Sequence, residues 1–201
     1  MGGENNHAAL CTPRGMEAAT AFGEGLPAGR VRRLYTTRID RARETAEAII
    51  RGIKARGGRA EISGQLPART TIDQEWSEKY MADVMRATGE ETRATIILTY
   101  RWLAGLIPPG YFNPSLEFAR TNAVFVAKNL ASAGRGSLDI YICHDTYVGA
   151  FMFHWFGEPL YPGGVGFLDG FLIQPEEKAM DVWLRDRHVS AEYPWWWRAG
   201  G

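Results

Sequence analysis

The stretch Leu138-Asp139-Ile140-Tyr141-Ile142-Cys143-His144-Asp145-Thr146-Tyr147 governs how the chain reads. An apolar run, Leu138 to Ile142, has the length of a strand, and Val148 to Phe156 has the composition of a helix. His144 and Asp145 therefore fall where a strand gives way to a helix. In α/β sheets this is where ligands bind, because strand carboxyl ends and helix amino ends converge there. Unsatisfied N–H groups at a helix start also favour an anion. A His beside an Asp at such a mouth suits proton transfer on a phosphorylated substrate. On the local pattern alone a second reading stands level with it: Asp145 or Thr146 caps the helix and His144 is incidental.

Leu34-Tyr35-Thr36-Thr37-Arg38-Ile39-Asp40-Arg41-Ala42-Arg43-Glu44-Thr45-Ala46 repeats the arrangement: a short strand, a polar turn, then a helix rich in Ala and Glu. Ahead of it, Leu10-Cys11-Thr12-Pro13-Arg14-Gly15 starts a helix, with Thr12 at the cap and Pro13 just inside. The three segments, in this order, resemble the histidine phosphatase (phosphoglycerate mutase-like) superfamily. That family shows a Leu-Thr-x-x-Gly helix start, an Arg-Ala-x-x-Thr-Ala segment and a late second His. The His-Asp form of the late site is similar to the acid phosphatase and phytase branch. The resemblance covers roughly residues 10–46 and 138–173.

The resemblance implies a three-layer α/β/α sandwich with a mostly parallel central sheet and hydrolysis of a phosphomonoester through a phosphohistidine. It makes Arg41 and His144 the phosphate-binding groups, with His144 and Asp145 catalytic and Asp145 the proton donor. A planar Arg fork at a helix start can take two phosphate oxygens at once. The alternatives are that Arg41 is a solvated helix residue like Arg43, that His144 is a satisfied core residue, and that Asp145 caps its helix. The family's Arg-His-Gly triplet, whose His is phosphorylated, is missing: Met1-Gly2-Gly3-Glu4 stands where Arg-His-Gly-Glu belongs. The first strand is expected to be missing with it, so the chain is expected to be truncated or inactive. A non-catalytic anion-binding or assembly domain on the same fold is the alternative. His7 is the sole imidazole near the lost triplet and the one candidate for a substitute nucleophile, against the plainer reading of an exposed terminal residue.

Composition narrows the classes. Apolar residues at 45% and charged residues at 23% describe an ordinary globular chain, and 201 residues suffice for one sizeable core. A formal net charge of zero argues against nucleic acid as a partner. The expected partner is a small phosphate ester or inorganic phosphate, with no cofactor and no metal; the oligomeric state stays open. No apolar run of about 18 residues is present to span a membrane, and no signal peptide is visible, which favours the cytoplasm, with a periplasmic or secreted location left open by a truncated start. Cys11 and Cys143 are too few for a disulfide framework and are expected in the core.

The periodicities predict strands at 31–35 and 60–62, a helix over 41–56 that buries Ala42, Thr45, Ala46, Ile49 and Ile53, and helices at 72–105 broken near Gly89. A helix over 118–132 leads into the Leu138 strand, and 165–173 should pair with 179–184 as a final hairpin. The whole chain, 1–201, is expected to be one domain with a helical insert at about 66–115. Among weaker candidates, Glu75 reads as an exposed helix carboxylate, His154 as packing, and His188 as surface. Trp195-Trp196-Trp197 reads as a terminal segment folding back over apolar surface.

Overall fold

A computed structural model describes residues 10–27, 29–134 and 136–197. The chain divides into two compact units, Met1–Pro67 with Lys128–Cys143 and Ala68–Ala127 with His144–Gly201. It is an α/β protein: six helices, a three-stranded parallel sheet and a separate three-stranded antiparallel sheet are formed by the described residues.

The first unit holds α1 (Pro13–Gly25), β1 (Val31–Thr36), α2 (Asp40–Ala55), β2 (Arg59–Gln65), the end of α5 (Ser115–Ser132) and β3 (Leu138–Ile142). Thr12 caps α1, its side chain accepting from the Gly15 N–H at 3.1 Å, and Pro13 occupies the first helical position, where its missing N–H costs nothing. The sheet order is β2-β1-β3, all parallel. Side chains alternate across a strand. Leu34 therefore enters an apolar core with Ala19, Ala46, Ala48, Ile49 and Ile53, against which Ile140 packs. Arg33 and Tyr35 alternate with Leu34; Arg33 pairs with Asp139 and Tyr35 stacks on Tyr141 at 4.8 Å.

Two glycines let α1 and α2 approach closely. A Cβ added at Gly23 would lie 2.1 Å from the Ile49 carbonyl oxygen, and one at Gly52 would lie 2.0 Å from that of Thr20. No side chain fits in either place.

The second unit holds α3 (Gln74–Thr88), α4 (Glu91–Leu103), most of α5, α6 (Asp145–Phe156), β4 (Phe171–Pro175), β5 (Ala179–Leu184) and β6 (Arg187–Glu192). Asp73 caps α3 by accepting from the Trp76 N–H, and Gly89 ends it in the left-handed conformation at φ 70°. A bridge between Thr71 and Phe112 closes the segment carrying α3 and α4. The buried side of α5 and α6 is aromatic: Phe118 stacks on Phe151 at 5.6 Å and Phe151 on Trp155 at 4.1 Å.

Four expectations need correction. The strand expected over 165–173 starts only at Phe171, because Asp169 accepts from the Gly166 and Gly170 N–H groups and folds the preceding residues into turns. A third strand, β6, pairs with β5 where no strand was expected; Arg185 (φ 53°) and Asp186 form the two-residue turn between Leu184 and Arg187. Both cysteines are half-buried rather than in the core, and the Cys11 thiol contacts the Arg41 carbonyl and the Thr45 hydroxyl at 3.3 Å. Of the three tryptophans, Trp196 and Trp197 are buried as expected, whereas Trp195 is 81% exposed with Arg120 over its ring. No described helix is long and apolar enough to cross a membrane.

Candidate functional site

Arg41 lies in the first turn of α2, one residue past its start at Asp40. The capping position, Ile39, provides no side-chain bond to the helix N–H groups. The turn is braced from elsewhere. The Thr45 hydroxyl donates to the Arg41 carbonyl at 2.8 Å, and the Cys11 N–H donates to the Glu44 carboxylate at 2.7 Å. Arg41 and Arg43, which the sequence alone leaves equivalent, differ in setting. Arg43 is exposed and paired along the helix with Glu47 at 2.9 Å and Asp40 at 3.3 Å, whereas Arg41 is half-buried.

The strand ahead of Arg41 and the strand ahead of Cys143 are neighbours in the parallel sheet, and their last residues, Thr36 and Ile142, are register partners. The two chains therefore leave the sheet at the same edge, their carboxyl ends. Thr36 and Thr37 are both buried there, and the Thr36 carbonyl accepts from the Leu66 N–H at 2.8 Å.

In the second unit, His144 is the capping residue of α6. Its carbonyl accepts from the Tyr147 and Val148 N–H groups at 3.0 Å, while its side chain makes no capping bond. The half-buried imidazole meets the Tyr147 ring edge-on, with centroids 5.4 Å apart. Tyr147 is itself fixed, its hydroxyl donating to the Ala68 carbonyl at 3.3 Å. Asp145 is the first helical residue and is exposed, and its Oδ1 accepts from the Thr146 N–H at 2.7 Å. Neither Asp145 nor Thr146 is the cap considered from sequence, because the helix starts one residue earlier. A carboxylate in a first helical turn is favoured by the helix dipole.

Asp145 also lines a cavity of about 200 Å³ together with Glu91, Thr92, Thr95 and Ile96 of α4 and Leu160. The sequence reading passed over these residues. Their signal was present in the spacing of Thr92, Thr95 and Thr99, which puts three threonines on one side of a helix. The loop that closes the cavity is held by Arg185, which donates to the Gly164 carbonyl at 2.8 Å, pairs with Asp169 and lies 3.9 Å from the Tyr161 ring centroid. Burial alone would raise the Asp169 carboxyl, but Arg185 and the two glycine N–H groups outweigh it and hold the group below its ordinary range.

The remaining candidates fall away from these features. His7 lies outside the described residues. Glu75 is exposed in the first turn of α3. His154 is half-buried 3.0 Å from the Ser115 hydroxyl, and His188 is exposed, stacked on Trp183 at 4.8 Å. Among the described residues no group of three or more His, Cys, Asp or Glu is placed to hold a metal ion. In comparison with known proteins, no family model and no curated sequence matches the chain.

Proposed function

We propose that this chain is a histidine phosphatase-type domain, a three-layer α/β/α sandwich, that binds a small phosphate ester at the carboxyl edge of its parallel sheet. Arg41 takes two phosphate oxygens through its planar fork. His144 donates to a phosphoryl oxygen, and Asp145 supplies the proton to the leaving alcohol. The observation that carries this reading is the pairing of Thr36 with Ile142, since both motif-bearing turns follow from adjacent parallel strand ends.

The phosphohistidine route needs an imidazole nucleophile, and no Arg-His-Gly triplet occurs in the 201 residues. We therefore assign this chain an anion pocket and an acid without the partner that forms the phospho-enzyme. The same absence supports a second reading, an anion-binding domain that performs no chemistry.

Calorimetry with inorganic phosphate or vanadate tests the pocket common to both readings. Weak, salt-sensitive binding that Arg41→Ala and His144→Ala each abolish is expected. Binding that survives both substitutions would put the anion elsewhere and end the assignment.

A further inference from the structure

A guanidinium takes two oxygens at once only when its planar fork is held at a set angle. A first helical turn holds no angle by itself, because its N–H groups lack the partners that secure later turns. The capping residue of α2, Ile39, supplies no side-chain bond to make this good. Contacts from the segment ahead of α1 converge on the Arg41 turn instead. The Cys11 N–H donates to the Glu44 carboxylate at 2.7 Å. The Cys11 Sγ stands 3.3 Å from both the Arg41 carbonyl oxygen and the Thr45 hydroxyl. The Thr45 hydroxyl donates to that same carbonyl at 2.8 Å.

A bond from a threonine hydroxyl to the carbonyl four residues back is common inside helices and by itself says little. Two observations set this one apart. Thr45 is only 7% exposed, so its hydroxyl must find its partners within the protein. The carbonyl it meets is also approached by a thiol 30 positions earlier in the chain. Because the peptide unit is planar, holding the Arg41 carbonyl sets the direction in which the Arg41 Cβ leaves the backbone. Cys11 is an anchored point in its turn. It precedes the Thr12 cap and Pro13, and α1 is seated on α2 where Gly23 and Gly52 bring the two backbones together. All of these residues belong to the first unit.

We propose that Cys11 and Thr45 are positioning residues that orient the Arg41 fork for the oxygens of a phosphate group. The role rests on the reading of Arg41 as an anion-binding group. It adds that the grip depends on a tie between the start of α1 and the first turn of α2.

The test combines NMR relaxation of the Arg41 Nε–Hε group, without ligand, and amide NMR titration with inorganic phosphate, both on the whole chain. Thr45→Val keeps the side-chain shape and removes the hydroxyl. It should lower the order of the Nε–Hε group and weaken phosphate binding about three- to tenfold. Cys11→Ala keeps the N–H and removes a weaker donor, so about a two- to threefold loss is expected. Thr45→Ser retains the hydroxyl and should restore both readouts. In an Arg41→Lys background the point charge needs no set orientation, and Thr45→Val should then cost less than about twofold. A loss of equal size in both backgrounds, or no rescue by Thr45→Ser, would mean general damage to the fold and overturns the role. Phosphate binding that ignores Thr45→Val and Cys11→Ala overturns the role alone. Absence of phosphate binding in the unmodified chain overturns the anion-pocket reading and the role with it.

Discussion

Arg33 and Asp139 are register partners on adjacent parallel strands, joined twice, by Nε to Oδ1 at 2.8 Å and Nη2 to Oδ2 at 2.7 Å. The pair is asymmetric in solvent: the Asp139 side chain is 2% exposed and that of Arg33 20%. Its loss should therefore depend on which partner is removed. Arg33→Met leaves a buried carboxylate that, among the described residues, keeps only the Tyr141 hydroxyl at 3.4 Å, and should cost about 3 kcal/mol. Asp139→Ala leaves a guanidinium that still donates to the Asn129 carbonyl and the Ser132 hydroxyl and reaches water, and should cost about half as much. Urea unfolding measures both, and an inverted order would contradict the account.

The α1–α2 contact predicts that a helix-favouring substitution will destabilise. Gly→Ala inside a helix ordinarily gains up to about 1 kcal/mol. At Gly52 the new Cβ meets backbone 2.0 Å away, which no rotamer can relieve, so Gly52→Ala should lose about 2 kcal/mol net. Gly25→Ala, with nothing within 4 Å, should be neutral or slightly stabilising. Parallel thermal melts of the two variants decide the matter; equal midpoints would mean that the helices are not held at that distance.

Burial holds the His154 imidazole below its ordinary pKa, so the folded chain resists protonating it. At acidic pH the unfolded chain binds the proton more readily, and stability falls as pH drops below about 6.5, the value for an unperturbed His. Stability above that pH is unaffected by this group. His154→Gln does not titrate and should flatten the slope of unfolding free energy against pH below about 6.5. A slope unchanged in the variant would transfer the effect to another residue.

Turnover of phosphate monoesters by this chain should lie near background. Removing a nucleophile leaves a residual acceleration on the order of 10³–10⁴-fold over water in the best-studied serine hydrolase. A chromogenic ester at mildly acidic pH provides the assay. Robust turnover lost in His7→Ala would make His7 the nucleophile after all, and turnover lost only in Asp145→Asn would indicate direct attack by water.

Much of this architecture was legible because its causes are short-range. Thr12 and Pro13 announced α1, the spacing of Ala42, Thr45, Ala46, Ile49 and Ile53 announced the buried side of α2, and Gly89 marked the break between α3 and α4. Each depends on residues a few positions apart, where chain geometry is set by helix period and capping. The segment 165–173 misled because it contains apolar residues at strand-like density, whereas a single aspartate, Asp169, decided its path through two backbone hydrogen bonds.

The sequence by itself determined the α/β class, the order of most elements, and the position of His144-Asp145 at a strand-to-helix junction. Only the tertiary structure decided that Thr36 stands opposite Ile142, that Arg33 finds Asp139, and that Glu91, Thr92, Thr95 and Leu160 share one cavity with Asp145. The physical reason is separation along the chain. Periodicity and capping act over one or two turns, whereas ladder register and cavity walls join residues tens of positions apart. Those partners are chosen by burial and charge pairing across the whole fold.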